Sequence, residues 1–223
     1  MFLICTEERK ICIMKAYMTV SFISPGGEGV GGSKGRSRYR TIDLTLFAVI
    51  LFVFEGIIIT GSTRWFPGEP YTVSVIPLIV TVVLMRWGPW AGIHAALGGL
   101  VFCMFSGANI RQYVIYCGGN LFSLGALAVL KALGDEKIRQ DALKTWLFGM
   151  AVMALMFLGR ALLSLLFGTP VTTALGFFTT EVITVLFTLV VLWIVRRLDG
   201  VFENQNHYLL RLREEQEKER GGY

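Results

Sequence analysis

The sequence predicts an all-α integral membrane protein: a bundle of six transmembrane helices with both ends in the cytoplasm, followed by a cytoplasmic C-terminal amphipathic helix. Three observations lead there. The 223 residues are 54% hydrophobic and 17% charged, with a mean hydropathy of +0.60; this is too apolar for an ordinary soluble domain. Six stretches reach or approach the roughly 20 apolar residues that a spanning helix needs. The cations fall in alternate connections, as in proteins that hold their positive loops inside the cell.

Residues 1–41 read as a cytoplasmic, disordered tail. "TEERK" puts charge within the first ten residues, and "SPGGEGVGGSKG" is flexible and Gly-rich. The apolar run "ICIMKAYMTVSFIS" contains Lys15 and lacks a small-residue cleavage site, so it is a poor signal peptide. Met14 and Met18 offer later starts.

The membrane domain is 42–197, with spans near 44–61, 71–86, 89–106, 111–132, 144–167 and 170–195. "RWGPW" turns the chain between the second and third, with Trp87 and Trp90 at the interface. Thr169 and Pro170 suit the cap and first turn of the sixth. The loop 62–70, "STRWFPGEP", is the longest on the outer side and carries Trp65. Residues 198–223 form a cytoplasmic helix and tail, in which Leu198, Phe202, Leu209 and Leu212 punctuate a charged sequence.

The net charge of +5 follows from topology and needs no nucleic acid. Lys34, Arg36, Arg38 and Arg40 precede the first span. Arg86 follows the second, Lys131, Lys137, Arg139 and Lys144 join the fourth to the fifth, and Arg196 and Arg197 follow the sixth. These eleven share one side if the spans alternate, and the other side has Arg64 and Arg111.

Several classes are excluded. There is no GxxxxGK[ST] loop for ATP, no HExxH and no GxSxG. Neither catalysis nor a bound metal or other cofactor is expected. Cys5, Cys12, Cys103 and Cys117 form no CxxC, and the last two read as small packing residues. His94 reads as a hydrogen-bonded packing residue.

The candidate site comes from polar residues inside the spans. Arg160 stands alone in "MALMFLGRALLSLLFG". A guanidinium keeps its proton at any ordinary pH, and near a bilayer centre it costs at least ~2.5 kcal/mol. Counting from the outer ends at 1.5 Å per residue, Glu55 lies about 9 Å deep, Arg160 about 10, Asn120 about 13 and Glu181 about 16. Helical phase puts Thr180, Glu181 and Thr184 on one face of the sixth span. Arg160 and Ser164 share a face of the fifth, and Tyr113, Tyr116 and Asn120 share one of the fourth. Charges within spans face the bundle interior or a watery cavity and pair there, so Arg160 is expected to share an interior with Glu55 or Glu181. Two uses remain open: an ion pair that fixes helix register, or an outward pocket for a small polar ligand with a ring. The small-residue ladder Ala91, Ala95, Gly99 and the glycines 118, 119 and 125 predict close helix contacts.

The run "VIPLIVTVVLMRWGPWAGIHAALGGLVF" (75–102), with six spans and both ends inside, resembles the substrate-binding S components of energy-coupling factor transporters over roughly residues 42–200. The resemblance implies a multi-pass protein of a bacterial cell membrane that captures a vitamin-like small molecule from outside. Its partners would be a transmembrane coupling subunit and two cytoplasmic ATPases. In that family spans four to six and the outer loops line the site. The candidate substrate-binding set is therefore Arg160, Glu181, Glu55, Asn120, Tyr113, Tyr116, Thr180, Thr184 and Ser164, with Trp65 from the outer loop. Where many members have small residues four apart on span one, this chain has Ala48 and then Phe52. The alternative is a non-transporting membrane scaffold similar to the rod-shape proteins, with Arg160 in a structural ion pair.

Overall fold

A computed structural model describes residues 33–66, 73–198 and 200–221. The chain divides into two compact units, residues 1–39 and 40–223. The described part of the first is a helical stretch from Ser33, and the contacts of the bundle lie within the second. Residues 1–32 of the predicted tail lie outside the described residues, but 33–41 are helical rather than disordered.

The elements are α1 (Ser33–Trp65), α2 (Ile76–Trp87), a 3-10 turn (Gly88–Trp90), α3 (Ala91–Ser106) and α4 (Ile110–Leu121). A second 3-10 turn (Phe122–Gly125) leads into α5 (Ala126–Leu133). Then come α6 (Asp135–Gln140), α7 (Ala142–Leu166), α8 (Val171–Thr179), α9 (Val182–Val195) and α10 (Gln205–Gly221). No strand occurs among the described residues. In hydrocarbon every backbone polar group must be satisfied within its own segment, and the helix does this.

Five helical segments are long and apolar enough to cross a membrane: Ser37–Trp65, Ile76–Ser106, Ile110–Leu133, Ala142–Leu166 and Val171–Val195. The second of these doubles back. Gly88 has φ +60°, and a Cβ on Gly98 would lie 2.6 Å from the Ile76 side chain. In a straight helix those two residues would be about 33 Å apart.

Local chemistry sets the boundaries. Asn109 and Gln112 form a reciprocal capping box at the start of α4, and the Asp141 carboxylate accepts from the Leu143 N–H at the start of α7. Gly107 ends α3 with φ +66°, the left-handed geometry that favours glycine. Thr169 does not cap the helix after it: its hydroxyl donates back to the Ser164 carbonyl at the end of α7, and Pro170 occupies the cap position of α8. Two predicted spans are interrupted, the fourth at Phe122–Gly125 and the sixth at Thr180–Glu181.

Helix α7 is central, packing against α2, α4, α5, α6, α8 and α9. Its fully buried Phe148, Val152 and Met156 anchor the core with Val80, Val83 and Leu84 of α2. Of the predicted glycine contacts, those at Gly99 and Gly119 are backbone approaches, while Gly118 and Gly125 face the side chains of Leu163 and Leu155. A Cβ on Gly99 would meet the Cys117 nitrogen at 2.6 Å, and one on Gly119 would meet the Arg160 nitrogen at 2.6 Å.

Candidate functional site

Arg160 is 2% exposed on the central helix, and its charge is met from two neighbouring segments. Nε donates to Asn120 Oδ1 at 2.8 Å, and Nη1 donates to Glu181 Oε1 at 3.0 Å. Asn120, fully buried, donates onward from Nδ2 to the Ala95 carbonyl at 3.0 Å. A hydrogen-bonded line therefore joins α3, α4, α7 and the break between α8 and α9. Glycine makes it possible. With no side chain at Gly119 or Gly159, helices α4 and α7 touch, and a Cβ on Gly119 would overlap the Arg160 stem at 2.8 Å.

Aromatic rings wall this line. The Arg160 guanidinium carbon lies 4.9 Å from the Tyr116 ring centroid and 5.8 Å from that of Phe157, within cation–π range. Tyr116 stacks on Phe102 at 4.5 Å and meets Phe177 edge-on at 5.8 Å. Glu181 is buried, and its second oxygen, Oε2, has no hydrogen-bond partner among the described residues. The buried hydroxyls of Ser123 and Thr188 are likewise unpartnered.

Glu55 belongs to a separate arrangement. It is fully buried and accepts from the Ser74 hydroxyl at 2.9 Å and the Val75 N–H at 2.8 Å. The Ser74 N–H in turn donates to Thr184 Oγ1 at 3.2 Å. Of the two partners that the sequence allows for Arg160, Glu181 is the one in contact, and Glu55 is hydrogen-bonded by hydroxyl and backbone donors at the start of α2.

The remaining candidates scatter. Tyr113 is half-buried one turn before Tyr116. The hydroxyls of Thr180 and Ser164 are turned onto their own helices, donating to the Gly176 and Ala161 carbonyls. Trp65 is 78% exposed at the end of α1, and the first four residues of the expected outer loop 62–70 are helical. Residues 67–70 of that loop lie outside the described residues. His94 is buried, its Nε2 2.9 Å from the Leu44 carbonyl, which agrees with a packing role.

A second buried charge cluster is absent from the sequence reading. Arg86 is buried and binds Asp43 through two bonds, Nε to Oδ2 at 2.9 Å and Nη2 to Oδ1 at 2.7 Å. Its Nη1 donates to the Gly200 and Val201 carbonyls, at 2.5 and 2.9 Å. Trp87 also donates to Asp43 and is buried, so it is not an interfacial anchor; Trp90 is 41% exposed beneath Arg40. Residues 200–208 are correspondingly packed inward, and the helix expected from residue 198 begins at Gln205. Phe202 and Gln205 are fully buried and Tyr208 nearly so, whereas Leu198 is exposed. Glu203, also buried, pairs with Arg139 and Arg211. The signal available was Asp43, an acid at the edge of the first apolar run.

Neither a small cleft among Met85, Asp135, Arg139 and His207 nor a groove along α1 includes the Arg160 line. No group of His, Cys, Asp and Glu among the described residues could hold a metal ion. No protein-family model, no curated protein and no solved structure matches the chain.

Proposed function

We propose that this chain is the membrane-embedded substrate-binding subunit of an energy-coupled uptake system, taking a vitamin-like small molecule from outside a bacterial cell. It would cross the membrane six times, counting the α2–α3 hairpin as two passages, with both ends inside. A coupling subunit and two ATPases would supply the energy, since the chain has no phosphate-cradling loop. It would perform no chemistry on its cargo.

The observation that carries this reading is Glu181 Oε2, a buried carboxylate oxygen without a partner beside Arg160 and its aromatic wall. Leaving such an acceptor unmet costs about 1–3 kcal/mol, more when charged, and a ligand N–H would meet it. Arg160 Nη2, not engaged by any described residue, would take a carboxylate or phosphate on the same ligand. Tyr116 and Phe177 would pack a ring.

A specific observation favours the scaffold reading as second: Arg160 is already served by Asn120 and Glu181. The two separate in one experiment, mass spectrometry of small molecules retained by purified wild type, Arg160→Met, Glu181→Gln and the double variant, with their melting temperatures. For a substrate subunit, a ring compound bearing N–H and an anionic group is retained by wild type. The single variants weaken it about ten- to a hundredfold, the worth of one charged hydrogen bond. For a scaffold, no molecule is retained, each single variant melts earlier, and the double variant recovers.

A further inference from the structure

We propose that the groove along α1 is a binding site for one phospholipid with an anionic headgroup, its acyl chain lying on the helix and its phosphate on Arg64. The groove is open along its length and has a volume of about 500 Å³. It exists because α1 has no side chain at Gly56 and Gly61, while Phe105 of α3 rises beside it as the far wall. Phe105 meets Phe52 edge-on at 5.7 Å, and its ring edge is within 3.0 Å of where a Gly56 Cβ would be.

Length and polarity select the occupant. From Phe52 to Trp65 the groove follows α1 for about 20 Å, the depth of one leaflet with its headgroup zone. The Phe52 end is apolar. The other end has the exposed Arg64 and the exposed indole of Trp65, the residue types that sit at headgroup level. Arg64 pairs with no acidic side chain among the described residues, so a cation stands at one end of an apolar trough. A phosphodiester with a long alkyl chain complements both parts at once. A partner helix would have to lie against Phe52 and Trp65, bulky groups where close helix contacts favour small ones.

Native mass spectrometry of the full chain in a non-ionic detergent tests this, with phosphatidylglycerol and phosphatidylcholine titrated separately. Wild type should retain one phosphatidylglycerol, held about fivefold more tightly than phosphatidylcholine. Gly61→Leu fills the trough with little strain, since the nearest atom to a Cβ there is 3.5 Å away on Trp65; it should abolish retention of both lipids. Arg64→Gln should keep binding and lose the preference. In wild type, phosphatidylglycerol brominated in its chains should quench Trp65, seen as the difference from Trp65→Phe, so the site is testable even if Gly61→Leu folds poorly. Equal retention by folded Gly61→Leu, no preference between the lipids, or no Trp65 quenching would each overturn the proposal. So would a lipid-free dimer that Gly61→Leu dissociates, which would assign the groove to a second copy of the chain.

Discussion

The α-carbon of Gly119 lies against the backbone of Arg160, so closely that a methyl group there would sit 2.6 Å from the Arg160 nitrogen. This contact sets how far the guanidinium reaches toward Glu181. Gly119→Ala should cost about 1–3 kcal/mol through overpacking. Gly176→Ala is the matched control: it is helical with nothing within 4 Å of the new methyl, and should stabilise by about 0.5–1 kcal/mol. Melting temperatures in one detergent give both values, and an unchanged Gly119→Ala protein would contradict the close approach.

Arg86 should hold residues 200–208 in place. Arg86→Leu strands the Asp43 carboxylate in a buried site and should destabilise by about 3–5 kcal/mol, while Asp43→Leu combined with it should recover part of that. Gly200→Ala should free the same segment by another route, because Gly200 has φ +70° and a Cβ would press on the Tyr208 ring at 2.9 Å. Limited proteolysis reads the outcome: cleavage near residue 200 should be faster in Arg86→Leu and Gly200→Ala than in wild type.

The charge asymmetry makes a topological prediction. In a cysteine-free background, a cysteine replacing the exposed Thr63 should react with an impermeant thiol reagent applied outside intact cells. One replacing the exposed Lys137 should react only after lysis. Reversed labelling would invert the orientation and the uptake proposal with it.

Acid should loosen the turn between α5 and α7. A hydrogen bond from Arg139 holds the Glu136 carboxyl below its ordinary value of 4.5. A depressed carboxylate contributes its stability in full above the unfolded value and loses it as pH falls through the folded one, so the contribution fades below about pH 4.5. It should be small, ~0.2–1 kcal/mol for an exposed pair. Amide protection factors across residues 135–140, which compare each observed exchange rate with the intrinsic rate at the same pH, should fall on acidification in wild type and change less in Glu136→Gln.

The Arg160–Glu181 pairing was legible because hydrocarbon leaves a guanidinium few choices: a chain with so few intramembrane acids almost names the partner. The partner of Glu55 was not legible, because backbone N–H groups such as that of Val75 are present at every position and carry no mark in sequence. In sequence Arg86 reads as one more internal cation; a buried and an exposed arginine look alike until the acid on the preceding helix is brought beside it. Gly159 passed as a helix interior residue since its use depends on Gly119 facing it, a matter of rotational phase between two helices. The breaks at 122–125 and 180–181 contain no proline, so only tertiary packing could reveal them.

The line from Ala95 through Asn120 to Arg160 and Glu181 has a direction. Arg160 is the source of both its arms, and Asn120 is the adapter that receives on one side and gives on the other. Aspartate there has nothing to give, lysine at 160 has no planar fork for two acceptors, and leucine at either place leaves its neighbours unanswered. For folding, the three side chains therefore act as a unit: replacing all three by apolar residues leaves no orphaned partner, whereas replacing one alone strands a buried polar group.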